Sequence, residues 1–255
     1  MDVKRRGFLA GLLACPTCAA IAHTEEAAHW SYEGTEAGPA KWGELNSAFN
    51  ACTAGQQQSP VDLHDGIRSQ LPPFRPHWRS EAFKVVNNGH TLQLNASPGS
   101  YVEVGHSRYD LVQFHFHTPS EHAVNGKRTA MEVHFVHQNA EKQLSVLGVF
   151  LVSGGRNAAF ASIMVAAQPK PGEAALKTPI NPSALMPPPP AGGKSWPAWR
   201  YEGSLTTPPC SEIVNWIVLE RPVPVAQADI AAFQAIFPHN ARPLEPLNRR
   251  FLLRG

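Results

Sequence analysis

The chain reads as a mainly β protein: a single domain with a few short peripheral helices, an α+β arrangement. Three observations carry this. Apolar and polar residues alternate with the two-residue period of half-buried strands, as in residues 113–117 and 131–137. Turn residues separate such stretches, most plainly Asn125-Gly126, a dipeptide suited to a two-residue hairpin turn. Helical spacing is confined to residues 157–167 and 226–237, ended by Pro169 and Pro238, with one more short helix expected within residues 38–51.

Residues 1–22 stand outside that fold. Lys4-Arg5-Arg6 precedes a short apolar run and the small-residue pattern Ala20-Ile21-Ala22. This reads as an export signal, too short for a membrane span, and Arg5-Arg6 gives it a twin-arginine character. Cleavage after Ala22 is the preferred reading; lipidation at Cys15 is the alternative. The leader holds three cations and one acid, so removing it turns a formal charge of +2 into zero. The charge of the mature chain therefore gives no basic-patch argument for nucleic acid or an anionic membrane. It would be periplasmic or secreted, a monomer or homodimer acting on a small molecule.

Residues 23–255 suffice for one large core. Of four cysteines only Cys52 and Cys210 remain there. An even pair in an exported chain suggests a disulfide, with two separate buried thiols as the alternative. Residues 64–80 lack a clear period and read as a loop or edge. Residues 85–94 read as strand, turn, strand, and 101–109 as a second alternating segment. Residues 144–152 form a continuous apolar run, as in a strand covered on both faces. The Pro-rich residues 169–198 read as a connection laid over the domain, with Trp196, Trp199 and Tyr201 anchoring its return. A buried strand is expected over 213–219.

The chemistry concentrates between Gln113 and His137. On a strand His115 and His117 share a face. If Asn125-Gly126 makes a two-residue turn, Val124 faces Lys127 and His117 faces His134, unless Pro119 forces a bulge that shifts the register. Three imidazoles then meet, with cross-strand Cβ atoms roughly 5 Å apart. Three neutral imidazoles without a thiolate suit a catalytic zinc with an open position. One strand histidine is more often a satisfied core or surface residue. Here Gln113 and Glu132 each stand two residues before a candidate ligand, where an oxygen can fix an imidazole's tautomer. Strand parity turns His137 to the other face, a structural residue, and His122 reads as a buried hydrogen-bonding group.

Gln-Phe-His-Phe-His, Ser-Glu-His, Glu-Val-His-Phe-Val-His and Ser-Leu-Thr-Thr-Pro-Pro together resemble the α-class carbonic anhydrases, bacterial and exported members included. The resemblance runs from about His29 to Arg250, including Gln58-Ser59-Pro60, and its one noted departure is Ser31 where the family's entry motif has Gly. It implies a large, mostly antiparallel central sheet carrying the zinc site, and reversible hydration of carbon dioxide to bicarbonate and a proton by a zinc-bound hydroxide. It further implies His115, His117 and His134 as zinc ligands supported by Gln113 and Glu132. Thr206 would orient the nucleophile while donating to Glu121, and His90 would shuttle the proton. Val136, Val146, Leu205 and Trp216 would wall an apolar substrate pocket, and Thr207 would contact substrate or water. Tyr32 is divided between lining the mouth and ordinary packing. The resemblance also favours the Cys52–Cys210 bridge.

Other classes fit less well. Neither His-Glu-x-x-His nor a nucleophile elbow is present for a zinc peptidase or esterase. A noncatalytic binding module of the same fold typically lacks a zinc ligand, whereas all three stand here. A zinc-storage protein would hold metal without hydration activity.

Overall fold

The alternating segments assemble around one continuous sheet in a computed structural model, which describes residues 29–255 apart from Lys194. Its central strands are β1 (Lys84–Asn87), β2 (Leu92–Asn95), β3 (Ser107–His117), β4 (Met131–Gln138), β5 (Leu144–Ser153), β6 (Ala198–Gly203) and β7 (Val214–Leu219). In space they run β1-β2-β3-β4-β5-β7-β6. Gly172–Ala175 extends the sheet beyond β1; Leu253–Arg254 and Ile67–Arg68 extend it beyond β6. Most pairings are antiparallel, but β5 lies parallel to both β7 and Val223–Val225. The sheet is thus large, mixed and mostly antiparallel.

Residues alternate between two environments along these strands. Phe114 and Phe116 of β3 join Val133 and Phe135 of β4 in the main apolar cluster, with α1 (Ala158–Ala166) and α2 (Gln227–Ile236) contributing Phe160, Ile163, Ile230 and Phe233. The opposite faces carry the histidines and a smaller apolar cluster that includes Val146, Tyr201 and Trp216. β5 is almost entirely apolar from Val146 to Val152 because both faces are covered: Leu147, Val149 and Leu151 enter one cluster, Val146 and Phe150 the other. Asn157 starts α1 by accepting the Phe160 N–H at 3.0 Å.

Three local expectations are sharpened or changed. Residues 38–51 do hold one short α-helix, Trp42–Leu45, flanked by single turns at Pro39–Lys41 and Ser47–Phe49. Asn46 ends it by being extended (φ −154°, ψ 142°) and spends its side chain capping the next turn. Residues 101–109 are a hairpin, divided by Gly105 at φ 62° into Tyr101–Val104 and the start of β3. Residues 64–80 do supply edges, Ile67–Arg68 and Phe74–His77, and residues 169–198 do lie over the domain, with Leu185 and Met186 buried in the main cluster.

The hairpin register is the third, a correction. Val124 pairs with Lys127 around Asn125-Gly126, but this pair belongs to a separate small sheet with Asp62–Leu63. Between that sheet and the main one, residues 118–122 face only residues 129–131. The main ladder is therefore offset by two residues, and His134 lies opposite His115 while Glu132 lies opposite His117. Pro119, which has no N–H to give a ladder, stands in the longer arm. A two-residue offset preserves strand parity, so the same side chains still share a face.

The leader, including Cys15, lies outside the described residues. Among those described, no helix is long and apolar enough to cross a membrane.

Candidate metal centre

Strand parity and the β3–β4 register bring His115, His117 and His134 together, one potential ligand atom from each lying within 4.8 Å of the others. The ring centroids are 4.9 Å (His115–His117), 5.4 Å (His115–His134) and 4.6 Å (His117–His134) apart. Burial, then the neighbouring rings of His117 and His134, pushes His115 well below the usual imidazole range. Burial likewise lowers His117. Neutral rings offer lone pairs.

Each ring is aimed by a different acceptor. His115 Nδ1 donates to Gln113 Oε1 at 2.8 Å, as the sequence led us to expect. His117 Nδ1 donates to the backbone oxygen of Asn240 at 2.7 Å. That leaves His117 Nε2 buried with no hydrogen-bond partner among the described residues. A ligand atom held in this way, dry and unpaired beside two other imidazoles, fits a soft-to-borderline divalent cation such as zinc. His134 Nε2 lies 3.0 Å from Glu132 Oε1, a close electrostatic contact at an angle too poor for a good hydrogen bond.

Glu132 in turn anchors His122, accepting from its ring Nδ1 at 2.8 Å and its backbone N–H at 2.9 Å. Burial alone would raise this carboxyl; His122 and His134 outweigh it and hold Glu132 well below the usual carboxylate range. Because His122 Nδ1 donates, its Nε2 accepts, and Tyr201 donates to it at 2.7 Å. Ser59 and Tyr201 hydroxyls meet at 3.0 Å, and Ser59 Oγ also accepts the Ser204 N–H. His122 is thus the buried hydrogen-bonding group the sequence suggested. His137 is structural as well: it donates weakly to the Ser145 oxygen and stacks on Trp78.

The apolar residues form a continuous wall. Val136 pairs with Val146 across β4–β5, and Val146 with Trp216 across β5–β7. Trp216 Nε1 donates to the Ser204 oxygen, one residue before Leu205, and Val136 and Leu205 pack against the same cluster.

Glu121 and Thr206 are both buried. The hydrogen bond between them implied by the resemblance is not formed in this structure. Glu121 Oε1 takes the Arg242 N–H at 2.8 Å, which turns Oε2 toward the imidazoles, 3.6 Å from His117 Nε2 and 3.8 Å from His134 Nδ1. Thr207 is half-buried, its backbone oxygen accepting the Cys210 N–H. Cys52 and Cys210 are bridged, Cα–Cα 5.0 Å across 158 positions, four residues beyond Thr206.

His90 sits in the β1–β2 turn, where Asn88 Oδ1 accepts the His90 and Thr91 N–H groups. Its ring stacks on Trp30 with centroids 3.8 Å apart. Partial burial, then His29, lowers its pKa. Of the two readings offered for Tyr32, the structure shows the packing one. The side chain packs edge-on against Trp30 and Trp42, and burial followed by Glu121 raises its pKa well above the usual phenol value.

Asn240 is the residue the sequence did not single out. Its backbone oxygen aims His117, and its Nδ2 donates to the backbone oxygens of His90 and Phe116. Arg242, near the C-terminal end of the resemblance, is a second such residue. It is buried and donates to Gln58 Oε1, the Ser59 oxygen and the Cys52 oxygen, tying the disulfide to the site.

Comparison with known proteins agrees with this geometry. The family model described as eukaryotic-type carbonic anhydrase matches residues 37–253. A carbonic anhydrase of Pectobacterium carotovorum is 36% identical over 250 residues, covering 97% of this chain and 99% of the relative. One of Neisseria gonorrhoeae is 38% identical over 244 residues, 95% of this chain and 94% of the relative. Among solved structures, the α-carbonic anhydrase of Thermovibrio ammonificans in complex with the inhibitor sulfanilamide superposes with a TM-score of 0.83 at 39% identity, covering 89% of this chain and 99% of that one.

Proposed function

The chain belongs to the eukaryotic-type carbonic anhydrase family, zinc lyases that hydrate carbon dioxide reversibly, and from that premise we propose a role for each residue of its site. The observation that carries the reading is the cluster of three imidazoles, their potential ligand atoms within 4.8 Å, beside an apolar wall. His115, His117 and His134 hold zinc, supported by Gln113, Asn240 and Glu132. Zinc held there would act as a Lewis acid that makes a nucleophile available near neutral pH, a property of the family's chemistry.

The remaining steps belong to the protein's own groups. Carbon dioxide is apolar and needs a dry surface more than a charged clamp, which Val136, Val146, Leu205 and Trp216 offer. Thr206 accepts a hydrogen bond from the nucleophile and donates to Glu121, whose free Oε2 is the acceptor available for it. An ionised carboxylate only accepts, so this pairing fixes the direction of the hydroxyl. Thr207 contacts substrate or the water chain. His90, held neutral at pH 7 by its lowered pKa, receives the proton and passes it to buffer.

Residues 1–22 act as a twin-arginine-type export signal and 23–255 as the catalytic domain, periplasmic or secreted, with lipidation at Cys15 the less favoured alternative. The disulfide suits an oxidising compartment. The protein works as a monomer or homodimer without nucleic acid. The test is stopped-flow carbon dioxide hydration by mature, zinc-loaded protein beside Thr206→Ala. We expect hydration by the former and a loss on the order of a hundredfold in the latter with zinc retained, the effect of one preorganised donor. Equal rates would remove Thr206 from the mechanism, and a zinc-loaded protein without hydration activity would reduce the site to metal storage.

A further inference from the structure

The pairing of β6 with the C-terminal strand stops at Arg200–Leu253. Beside the edge of β6 left free from there on opens a cavity of about 520 Å³, and none of the metal-site residues lines it. Its charge is unbalanced. Arg200, Arg249 and Arg250 line it against one carboxylate, Glu202, whose Oε1 already accepts from Asn215 Nδ2 at 2.9 Å.

None of the three guanidiniums is paired with a carboxylate among the described residues. Arg250 donates only to the backbone oxygens of Leu247, Glu202 and Pro246 and lies over the Tyr201 ring; Glu212 and Glu245 act on it from a distance without forming an ion pair. Arg200 is the more telling of the two. It is only 8% exposed, donates once, from Nη2 to the Pro72 oxygen at 2.7 Å, and leaves Nε buried without a partner. Burial lowers its pKa with no neighbouring acid to offset the effect. A buried cation held at such cost, at the wall of a cavity shared with two more cations, is complementary to an anion.

The rest of the lining narrows the anion. Leu71, Pro72 and Leu253 give one apolar side, and Phe251, 71% exposed, stands at the cavity as an unused aromatic surface. An inorganic anion has no use for that wall, and Glu202 opposes a dianion. A guanidinium fork matches the two oxygens of a carboxylate. The volume lies within the range of small-molecule sites.

We propose that this cavity binds an organic monocarboxylate with an aromatic or similarly flat apolar body, its carboxylate on Arg200 and Arg250 and its ring against Phe251 and Leu71. The site is separate from the metal centre. Tyr201, which lines the cavity and sends its hydroxyl to His122, is the element the two share.

The probe is benzoate, titrated by calorimetry into the mature, zinc-loaded protein. Carboxylates are also potential metal ligands, so His134→Ala is titrated in parallel. We expect saturable binding that survives His134→Ala, weakens about three- to tenfold in Arg249→Gln and tightens about threefold in Glu202→Gln. Arg249 and Glu202 are both exposed, so neither variant depends on refolding a buried cation, and a gain of affinity is not a symptom of misfolding. Acetate should bind at least about tenfold more weakly than benzoate. Absence of saturable binding below about 10 mM overturns the proposal. So does binding that disappears in His134→Ala while ignoring the charge at positions 202 and 249, or acetate binding as well as benzoate.

Discussion

Strands β3 and β4 present two faces that are both largely buried, the site face opening only at Gln113, His115 and Val136, and that hold together by different means. On one, Phe114, Phe116, Val133 and Phe135 are buried among α1, α2 and the rest of the main cluster. On the other, His117, Glu132 and His134 are just as buried, but each has a named polar partner: the Asn240 oxygen for His117, His122 for Glu132, and the Glu132 carboxylate for His134. Burial therefore does not distinguish a site from a core. The core face is fixed by volume, where a missing methylene costs packing. The site face is fixed by direction: each donor has its acceptor, until a few atoms such as His117 Nε2 and Glu121 Oε2 are left unpaired in the middle.

Adjacent residues of β4 offer the sharpest contrast. His134→Ala should abolish stoichiometric zinc and, with it, hydration. Phe135→Ala should retain zinc at moderate temperature while losing about 3–5 kcal/mol of stability. Metal analysis after dialysis and a denaturant midpoint for each variant read the two outcomes. Tight, one-to-one zinc in His134→Ala would break the division between faces.

His137 tests whether parity alone assigns a histidine to the core. Burial depresses its pKa from 6.5 to about 4, against the raising influence of the Ser145 and Phe135 backbone and of Asp110. Between pH 6.5 and 4 the unfolded chain binds a proton here that the folded chain refuses, so stability falls as pH drops through that window and levels off below it. The depression corresponds to about 3 kcal/mol. His137→Phe should therefore keep its zinc at neutral pH and lose less stability than the wild type between pH 6.5 and 4. Parallel denaturation curves across that window would show that His137 does not titrate as a buried core residue.

A glycine supplies the next test. A Cβ at Gly148, opposite His134 on β5, would stand 2.6 Å from Glu132 Oε1. Gly148→Ala should push this carboxylate off His134 and His122, with a ten- to hundredfold loss of zinc affinity, as for other lost supports of a ligand. Competition with a chelator measures it. Unchanged affinity would mean that Glu132 does not orient His134.

How far the sequence revealed these features follows from the same contrast. Which residues share a face depends on parity, and parity survives a two-residue error in register, so His115, His117 and His134 were legible even though His117 was set opposite the wrong partner. The offset itself was not legible, because it arises where residues 118–122 leave the ladder around Pro119 to feed a second small sheet. Gln113 and Glu132 lie two residues from their imidazoles and could be read locally. Asn240 could not: it acts on His117 through a backbone oxygen, and the two are 123 positions apart. A main-chain acceptor leaves no side-chain signature. The Trp30–His90 stack is hidden for a similar reason, since neither residue predicts the other without the fold. The end of the short helix within residues 38–51 was not legible, because it depends on Asn46 taking an extended conformation.

The smallest expected effect concerns His90, which belongs to neither face. It projects from the β1–β2 turn, half-buried against Trp30, with only its backbone tied to the site through Asn240 Nδ2. The shuttle role proposed for it rests on a rate limit. Returning a proton from a group of pKa about 7 directly to water cannot exceed about 10³ s⁻¹, because recombination is bounded near 10¹⁰ M⁻¹s⁻¹ and the acidity is about 10⁻⁷ M. The fastest turnover of this chemistry is about 10⁶ s⁻¹. An imidazole titrating below 6.5 is neutral at pH 7, accepts the proton, and gives it readily to buffer. His90→Ala should therefore lower kcat ten- to a hundredfold in weak buffer while leaving kcat/KM and zinc content unchanged. Small imidazole buffers should restore most of the loss. In the wild type, kcat in weak buffer should fall as pH drops through the His90 pKa, with a midpoint below 6.5. A kcat indifferent both to the substitution and to buffer concentration would leave His90 as a stacked surface residue and move the proton's exit to another group.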